Sequence, residues 1–152
     1  MIFDALRLPA LLVLSLLFVA RPGFADSSSG CQLVIHVDKI RNEKGALGAT
    51  IFRSPDGWPE NTDKAFRHGP YPIMGSTGTA TFADMPPGDY AVAVIHDENG
   101  NRKMDRNIFG WPLEGFGFAN NPKVLLKAPP FQEALVHVAC PVTEITIHMT
   151  YK

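Results

Sequence analysis

The chain has 152 residues, of which 14 are Lys or Arg and 15 are Asp or Glu, so its formal net charge at pH 7 is −1. A near-neutral chain without a basic stripe is a poor candidate for nucleic-acid binding, which depends on clustered positive charge. The length suits one domain with a substantial hydrophobic core.

The N-terminal residues have the pattern of a secretory signal peptide. Arg7 supplies an early positive charge, residues 8–20 are almost wholly apolar, and Gly23 and Ala25 are small residues at the −3 and −1 positions of a cleavage site. The apolar run is shorter than the roughly 20 residues that span a bilayer. We therefore expect a periplasmic or secreted protein with no transmembrane anchor in its mature chain. The predicted divisions are a signal peptide at residues 1–25, a leader at 26–31 and a folded domain at 32–152.

The two cysteines, Cys31 and Cys140, lie near the two ends of the predicted domain. In an exported protein an even pair of cysteines favours a disulfide over two separate buried thiols. A bridge that closes so long a loop would stabilise the folded state by about 5 kcal/mol if its effect is purely entropic. We predict that it joins the starts of the first and last strands, with Cα atoms within about 7 Å of each other.

The first half of the domain shows two short alternations of apolar and polar residues. The first begins at Cys31 and predicts a strand. A polar turn separates it from the second, so residues 32–53 are predicted to form a β-hairpin. Residues 54–76 are rich in turn formers and are predicted to be irregular, with one or two helical turns capped by Asn61 or Thr62.

The second half is dominated by one nearly unbroken apolar run. A third strand is predicted at about residues 77–82, and residues 90–95 predict a central strand that is buried on both faces. Residues 97–130 lack periodicity, and strands return at residues 131–139 and 142–151. Six or seven short strands with Gly and Pro at the corners predict an all-β protein. The expected fold is a single antiparallel β-sandwich of the prealbumin or immunoglobulin-like type, with at most a short helix.

Oxygen-bearing side chains recur at alternate positions directly after the predicted central strand. A hard cation such as Ca²⁺ takes six to eight oxygen ligands, and a tightly curled loop can supply several of them from one short segment. The spacing therefore predicts a Ca²⁺ site, with Lys103 contributing its backbone carbonyl. Positions 1, 3, 5, 7 and 9 of the loop are Asp97, Asn99, Asn101, Lys103 and Asp105.

The same loop departs from an EF-hand. Arg102 stands at position 6, where an EF-hand has Gly, and Ile108 stands at position 12 in place of a bidentate Glu. Any remaining ligand would have to come from Glu98, Asn107 or Glu114. The alternative is a metal-free loop held by Asx turns, in which side-chain oxygens accept hydrogen bonds from the local backbone.

Aromatic residues and glycines interleave in residues 109–118. Exposed rings on a loop can bind glycans or proline-rich peptides, whereas rings packed over the end of a sandwich would only close its core. His96 and Glu114, which flank the acidic loop, and Trp58 from the irregular segment could join either arrangement. The candidate ligand-binding residues are Trp58, His96, Trp111, Glu114, Phe116 and Phe118.

Sequence motifs for catalysis are weak. The sequence has no paired-histidine zinc motif and no Ser nucleophile elbow. One enzymatic alternative stays open, because carboxylates in a cleft can perform acid–base chemistry. It is a metal-dependent hydrolase that uses His96, Asp97, Asp105 and Glu114. A three-ligand metal site with an open position would favour that enzyme, and a closed all-oxygen site would favour a binding module.

Several runs of residues together resemble a bacterial family of exported proteins known as domain of unknown function 2141. These runs are residues 48–52 (GATIF), 86–94 (PPGDYAVAV), 96–101 (HDENGN), 103–105 (KMD) and 114–118 (EGFGF). The resemblance implies a small periplasmic or secreted β-sandwich and implies no activity. The expected function is therefore an exported module, with Ca²⁺ as its stabilising ion, that binds an envelope partner, a glycan or a peptide.

Overall fold

The computed structural model describes residues 30–124 and 127–152, so the predicted signal peptide lies outside the described residues. The described chain is all-β, as predicted, with two sheets and two short 3₁₀ turns, Thr62–Lys64 and Phe131–Ala134. None of its helical segments is long and apolar enough to cross a membrane. The strands are β1 (Cys31–Asp38), β2 (Ala46–Phe52), β3 (Arg67–Tyr71), β4 (Ile73–Met74), β5 (Thr77–Met85), β6 (Gly88–Asp97), β7 (Gly115–Phe118), β8 (Leu135–Val138) and β9 (Val142–His148).

The two sheets pack face to face around one hydrophobic core. The first sheet has the order β4-β5-β1-β9, and the second has the order β3-β2-β6-β7 with β8 also paired to β6. Alternate residues of β1, such as Leu33 and Ile35, meet alternate residues of β2 and β6, such as Ile51 and Val92, between the sheets. The period of two in a strand places these side chains on one face, as the sequence alternation predicts.

The predicted hairpin at residues 32–53 is wrong, because β1 and β2 belong to different sheets. Lys39 has a left-handed backbone (φ 58°), and the amide of Ile40 donates to the carbonyl of Ser76 at 3.0 Å. The chain therefore leaves β1 towards β5 and crosses to the other sheet before β2 begins. A turn signal between two strands predicts that the chain changes direction there. It does not predict which strand each of them pairs with.

The disulfide between Cys31 and Cys140 is confirmed, with a Cα–Cα distance of 4.4 Å. It joins the starts of β1 and β9, which are neighbours in register from Gln32 with Val142 to Asp38 with His148. Two neighbouring strands that start at the same end must run parallel. The prediction of a purely antiparallel sandwich is therefore wrong for this pair.

Other strand predictions need smaller corrections. The segment predicted to be irregular contains β3 and β4, and β5 extends to Met85. The predicted strand at residues 131–139 begins with a 3₁₀ turn, and the last strand ends at His148. The helical turn capped by Asn61 is confirmed, since its side chain accepts a hydrogen bond from the amide of Asp63 at 3.1 Å.

Strand β6 is the central strand of its sheet, as predicted, and both of its faces are buried over residues 90–94. Val92 and Val94 face the core between the sheets. Ala91 and Ala93 face the opposite side and join a second hydrophobic cluster, which is the outer cluster of this sheet. The sheet therefore needs a cover on its outer face as well.

Two loops provide that cover. Trp58 packs edge-on against Phe52 and Phe131, with ring centroids 5.5 and 5.9 Å away. The Trp58 indole Nε1 also donates a hydrogen bond to the carbonyl of Pro129 at 2.9 Å, which ties the two covering loops together. The cover is incomplete beside this cluster, and a cleft opens there.

Strand β7 has glycine on one face and phenylalanine on the other. A Cβ on Gly115 would lie 2.3 Å from the ring of Tyr151, and one on Gly117 would lie 2.5 Å from Ile147 Cγ2. Only glycine allows the backbone to approach this closely. The inward glycines thus leave Phe116 and Phe118 on the outer face, where they belong to the outer cluster.

Candidate functional site

The acidic loop after β6 is organised by one buried carboxylate. Asp97 Oδ1 accepts hydrogen bonds from the amides of Gly100 and Asn101 at 2.8 and 3.1 Å. Asp97 Oδ2 accepts a third from the amide of Arg102 at 2.8 Å. Backbone donors stabilise a buried carboxylate and offset its loss of water. Asp97 therefore holds the loop in its curled shape.

The remaining predicted ligands converge on one another. The carboxamides of Asn99 and Asn101 both donate to the carboxylate of Asp105, at distances of 2.5 to 3.1 Å. The Asn99 and Asn101 side-chain oxygens accept from the amides two residues later, those of Asn101 and Lys103, at 3.0 and 2.8 Å. These are the hydrogen bonds of Asx turns. The loop thus brings the predicted side chains together through bonds within the chain.

Arg102 lies at the position where an EF-hand loop has glycine, and its backbone is left-handed with a φ of 61°. A non-glycine residue adopts this conformation at a cost of roughly 1–2 kcal/mol. The three hydrogen bonds to Asp97, one of them from Arg102 itself, offset that cost. The curled backbone expected of a cation-binding loop is therefore reached without glycine at this position.

Glu114 closes the base of the same loop. It is buried, and its Oε1 accepts from the amide of Glu98 at 2.9 Å while its Oε2 accepts from the amide of Asp105 at 3.2 Å. The two acceptor atoms therefore bind the two arms of the loop to each other. Glu114 thus stabilises the loop, because both of its carboxylate oxygens accept hydrogen bonds from backbone amides.

His96 is fully buried beneath the loop. Its Nε2 lies 2.8 Å from the carbonyl of Lys44, and its Nδ1 lies 2.8 Å from the hydroxyl of Tyr151. Because a carbonyl can only accept, Nε2 donates to Lys44, and in a neutral imidazole Nδ1 accepts from the Tyr151 hydroxyl. The same hydroxyl accepts from the amide of Arg41 at 3.1 Å. His96 therefore links three separate segments of the chain.

An ion pair flanks this histidine. Arg41 Nε donates to Glu98 Oε1 at 2.5 Å. This hydrogen bond lowers the pKa of the Glu98 carboxyl and raises the pKa of the Arg41 guanidinium. Burial raises the pKa of the neighbouring Tyr151 phenol, whose ring lies 4.6 Å from the Arg41 guanidinium carbon. The base of the loop is thus a connected polar network, which we call the loop base. It consists of Arg41, His96, Asp97, Glu98, Glu114 and Tyr151.

The hydrolase alternative draws on four residues of this loop and its base. Across residues 30–124 and 127–152, no group of three or more His, Cys, Asp or Glu side chains is placed to hold a metal ion. His96, Asp97 and Glu114 are buried and bonded to other parts of the chain. A cation at this loop would have to rely on amide and carbonyl oxygens in addition to the carboxylates.

A cleft of about 280 Å³ opens on the outer face of the second sheet, next to the outer cluster. Its floor consists of two cross-strand pairs, Ala93 with Phe118 and Ile95 with Phe116. Its walls include Met104 and Trp111 from the loop between β6 and β7, together with Pro59 and Val124. This volume lies just below the range for small-molecule sites, which begins at about 300 Å³. We call this feature the aromatic cleft.

Charged residues surround the aromatic cleft. Arg106, Lys127 and Lys152 line it together with one carboxylate, that of Glu60. Arg106 forms an ion pair with Glu60 and also donates to the carbonyl of Gly110 at 3.2 Å. Lys152 Nζ donates to the carbonyl of Val124 at 3.1 Å. The rim is therefore positively charged around an apolar floor.

The six predicted ligand-binding residues lie in three parts of the structure. Trp111, Phe116 and Phe118 line the aromatic cleft. Trp58 packs in the outer cluster, and His96 and Glu114 lie in the loop base. These three aromatics come from the segment in which aromatic residues and glycines interleave. In β7 the glycines face inward, so the rings of Phe116 and Phe118 face the cleft.

The sequence reasoning missed several cleft residues. Ala93 and Ile95 could have been found, because a central strand buried on both faces must present alternate residues to each side. The rim cations Arg106, Lys127 and Lys152 carry no comparable signal. They are far apart in the chain, and only the fold brings them to one place.

A family model described as an uncharacterized protein conserved in bacteria (DUF2141) matches residues 35–146. The match covers most of both sheets and includes the acidic loop. No curated protein and no solved structure shows a significant match to the chain.

Proposed function

Because the chain belongs to DUF2141, a bacterial family whose description names no activity, we propose its function from the geometry of the aromatic cleft. The protein is an exported β-sandwich module that binds a small apolar ligand on the outer face of its second sheet. The observation that carries the proposal is the cleft of about 280 Å³ above the apolar floor formed by the pairs Ala93–Phe118 and Ile95–Phe116. Apolar clefts with a few polar groups at the edge are typical of small-molecule sites.

The arrangement of the polar residues supports binding over hydrolysis. A general base needs an atom that can reach the substrate. The oxygens of Asp97 and Glu114 accept hydrogen bonds from loop amides, and both ring nitrogens of His96 are engaged. The side chains that the sequence suggests as catalytic residues therefore stabilise the loop.

The disulfide supports export. Disulfides persist in oxidising compartments such as the periplasm and the extracellular space, and the Cys31–Cys140 bridge spans 109 residues of the chain. Expression of the full chain in bacteria, followed by mass spectrometry of the intact protein, tests this part. We expect a protein in the periplasm or medium that begins at Asp26. Recovery only in the cytoplasm with residues 1–25 intact would contradict it.

Binding in the cleft can be tested with N-phenyl-1-naphthylamine, an uncharged apolar dye whose fluorescence rises in apolar surroundings. We expect saturable binding with one site per chain. Trp111→Ala removes a wall of the cleft and should weaken the affinity about tenfold, which corresponds to about 1.4 kcal/mol. The matched control is Ile108→Ala, since Ile108 is 92% exposed on the same loop and does not line the cleft.

A second pair of variants tests the floor. Ala93→Leu should fill part of the cleft and reduce dye binding, while Ala83→Leu adds the same group to an exposed position of β5. Circular dichroism and thermal unfolding identify variants that no longer fold. Equal dye affinities for Ala93→Leu, Ala83→Leu and the unmodified protein, all folded, would contradict the proposed site.

We also propose that Ca²⁺ stabilises the acidic loop. The ligands would be Asp97, Asn99, Asn101, Asp105 and the carbonyl of Lys103. Support comes from the left-handed backbone of Arg102, which gives the loop the curl that a cation requires. The ion would replace the bonds from the two asparagine carboxamides to Asp105.

Thermal unfolding with Ca²⁺ and with a chelator tests this second proposal. A hundredfold excess of Ca²⁺ over Kd should add about 2.7 kcal/mol to the unfolding free energy. Asp105→Asn should remove the response, and Asp89→Asn should keep it, because Asp89 is exposed and pairs with His137 on a different part of the surface. An unmodified protein that unfolds identically in Ca²⁺ and in chelator would contradict Ca²⁺ binding.

A further inference from the structure

The aromatic cleft combines an apolar floor with an excess of positive charge at its rim. Three basic side chains line it, against the single carboxylate of Glu60, and that carboxylate is already paired with Arg106. Within the part of the chain that the structure describes, no carboxylate forms an ion pair with Lys127 or Lys152. The rim therefore offers two ammonium groups to a ligand.

One of these ammonium groups is already held in position. Lys152 Nζ donates to the carbonyl of Val124, itself a wall residue, at 3.1 Å. An ammonium has three donors, so two remain for a ligand. Lys127 lines the cleft too, and its side chain can approach the same ligand. A positive group held beside an apolar surface favours a ligand with a negative charge next to its own apolar part, because both contacts can then form at once.

We propose that the ligand of the cleft is a small amphipathic anion, such as a medium-chain carboxylate, whose apolar part lies on the floor and whose anionic head meets Lys127 and Lys152. This inference rests on the proposed binding function of the cleft and adds the charge of the ligand. The volume of about 280 Å³ fits a ligand at the small end of the usual range. It has no room for the two acyl chains of a membrane phospholipid.

Two dyes with the same aromatic skeleton separate the contribution of the charge from that of the apolar surface. N-phenyl-1-naphthylamine is uncharged, and 8-anilinonaphthalene-1-sulfonate carries one sulfonate. The unmodified protein should bind the sulfonate dye about tenfold more tightly at low salt. Added salt should weaken the sulfonate dye and leave the neutral dye nearly unchanged, because ions screen exposed charge pairs.

The double variant Lys127→Gln with Lys152→Gln should lower the affinity for the sulfonate dye about tenfold and change the affinity for the neutral dye less than twofold. The matched control is Lys44→Gln with Lys64→Gln, which removes the same charge from exposed positions outside the cleft. It should leave both affinities within twofold. Dodecanoate should also displace the sulfonate dye at a lower concentration than dodecanol.

The outcomes distinguish this inference from the proposed function on which it rests. Equal affinities for the two dyes, with no effect of the Lys127 and Lys152 substitutions, would overturn the anionic ligand and leave the apolar site standing. A folded protein that binds neither dye would overturn both. A loss of sulfonate-dye binding in the control variant equal to that in the cleft variant would also overturn the inference, since the effect would then come from net charge.

Discussion

The loop base and the aromatic cleft are neighbours, and they use their residues in opposite ways. The loop base buries His96, Asp97 and Glu114 and gives each of them hydrogen-bond partners. The floor of the cleft is apolar instead, and the rings of Phe116 and Phe118 that line it have no polar atom to satisfy. The residues with the most reactive side chains are therefore engaged by the fold, and residues without reactive groups form the surface that we propose as the binding site.

The physical reason is the cost of burying charge. A buried ion loses several kcal/mol of hydration unless hydrogen bonds replace its water. Among the described residues that are not exposed, every buried side-chain nitrogen or oxygen has a hydrogen-bond partner. A polar residue at the base of a loop is therefore committed to the partners that make its burial tolerable. Apolar side chains that line a cleft need no hydrogen-bond partner, and covering them with an apolar ligand is favourable.

The largest test of this comparison is Asp97→Ala. The substitution leaves the amides of Gly100 and Arg102 without their acceptor, and it leaves the Asn101 amide with Asn99 Oδ1 alone. We expect a loss of about 3 kcal/mol in the unfolding free energy, measured by urea denaturation. Asp89→Ala is the control and should cost less than about 1 kcal/mol, because Asp89 lies in an exposed pair. An equal loss in the two variants would show that the loop base is not the structural element described.

A smaller effect is expected from Gly117→Ala, which tests the packing beneath the cleft floor. The new Cβ would lie 2.5 Å from Ile147 Cγ2 and 3.1 Å from the carbonyl of His148. We expect a loss of about 1–3 kcal/mol from overpacking, together with weaker dye binding as β7 shifts. In Gly69→Ala the Cβ would meet Tyr71 at an ordinary 3.6 Å, so stability should hardly change. A neutral Gly117→Ala would contradict the close approach of the sheets at β7.

The smallest effect concerns Tyr151 in the loop base. Tyr151→Phe removes the hydroxyl that bonds to His96 Nδ1 and should cost about 1 kcal/mol at neutral pH. Burial raises the pKa of this phenol above its ordinary value of 10.0. The neutral phenol therefore stabilises the fold fully below pH 10, and this stabilisation is lost as the pH rises through the folded-state pKa.

The difference in unfolding free energy between the unmodified protein and Tyr151→Phe should accordingly narrow above about pH 10. Urea denaturation at neutral and alkaline pH measures it. A difference that widens with pH would contradict the burial of Tyr151 in the loop base.

Much of the fold could be predicted from the sequence because it depends on local alternation. The apolar run of β6 required a central strand, and the cysteines at the starts of β1 and β9 required neighbouring strands. Pairing partners could not be read in the same way. The first two strands have the pattern of a hairpin, yet the choice between sheets depends on long-range contacts such as that of Ile40 with Ser76.

The candidate site was harder to predict for two different reasons. Alternate Asp and Asn residues suit a cation and also suit Asx turns, so the spacing of Asp97, Asn99 and Asn101 cannot separate the two. The cleft depends on residues that only the fold brings together, such as Arg106 and Lys152. Their residue types are common on any surface, so no sequence pattern marks them.

The most direct test of the account is nuclear magnetic resonance of the isotopically labelled protein during titration with N-phenyl-1-naphthylamine. The chain has two tryptophans. The indole of Trp111 lines the cleft, and that of Trp58 donates to the carbonyl of Pro129 in the covering loops. We predict that the Trp111 indole signal shifts with the dye, while the amide signals of Gly100 and Arg102 at the acidic loop stay in place. Shifts at Gly100 and Arg102 with an unchanged Trp111 signal would contradict the account.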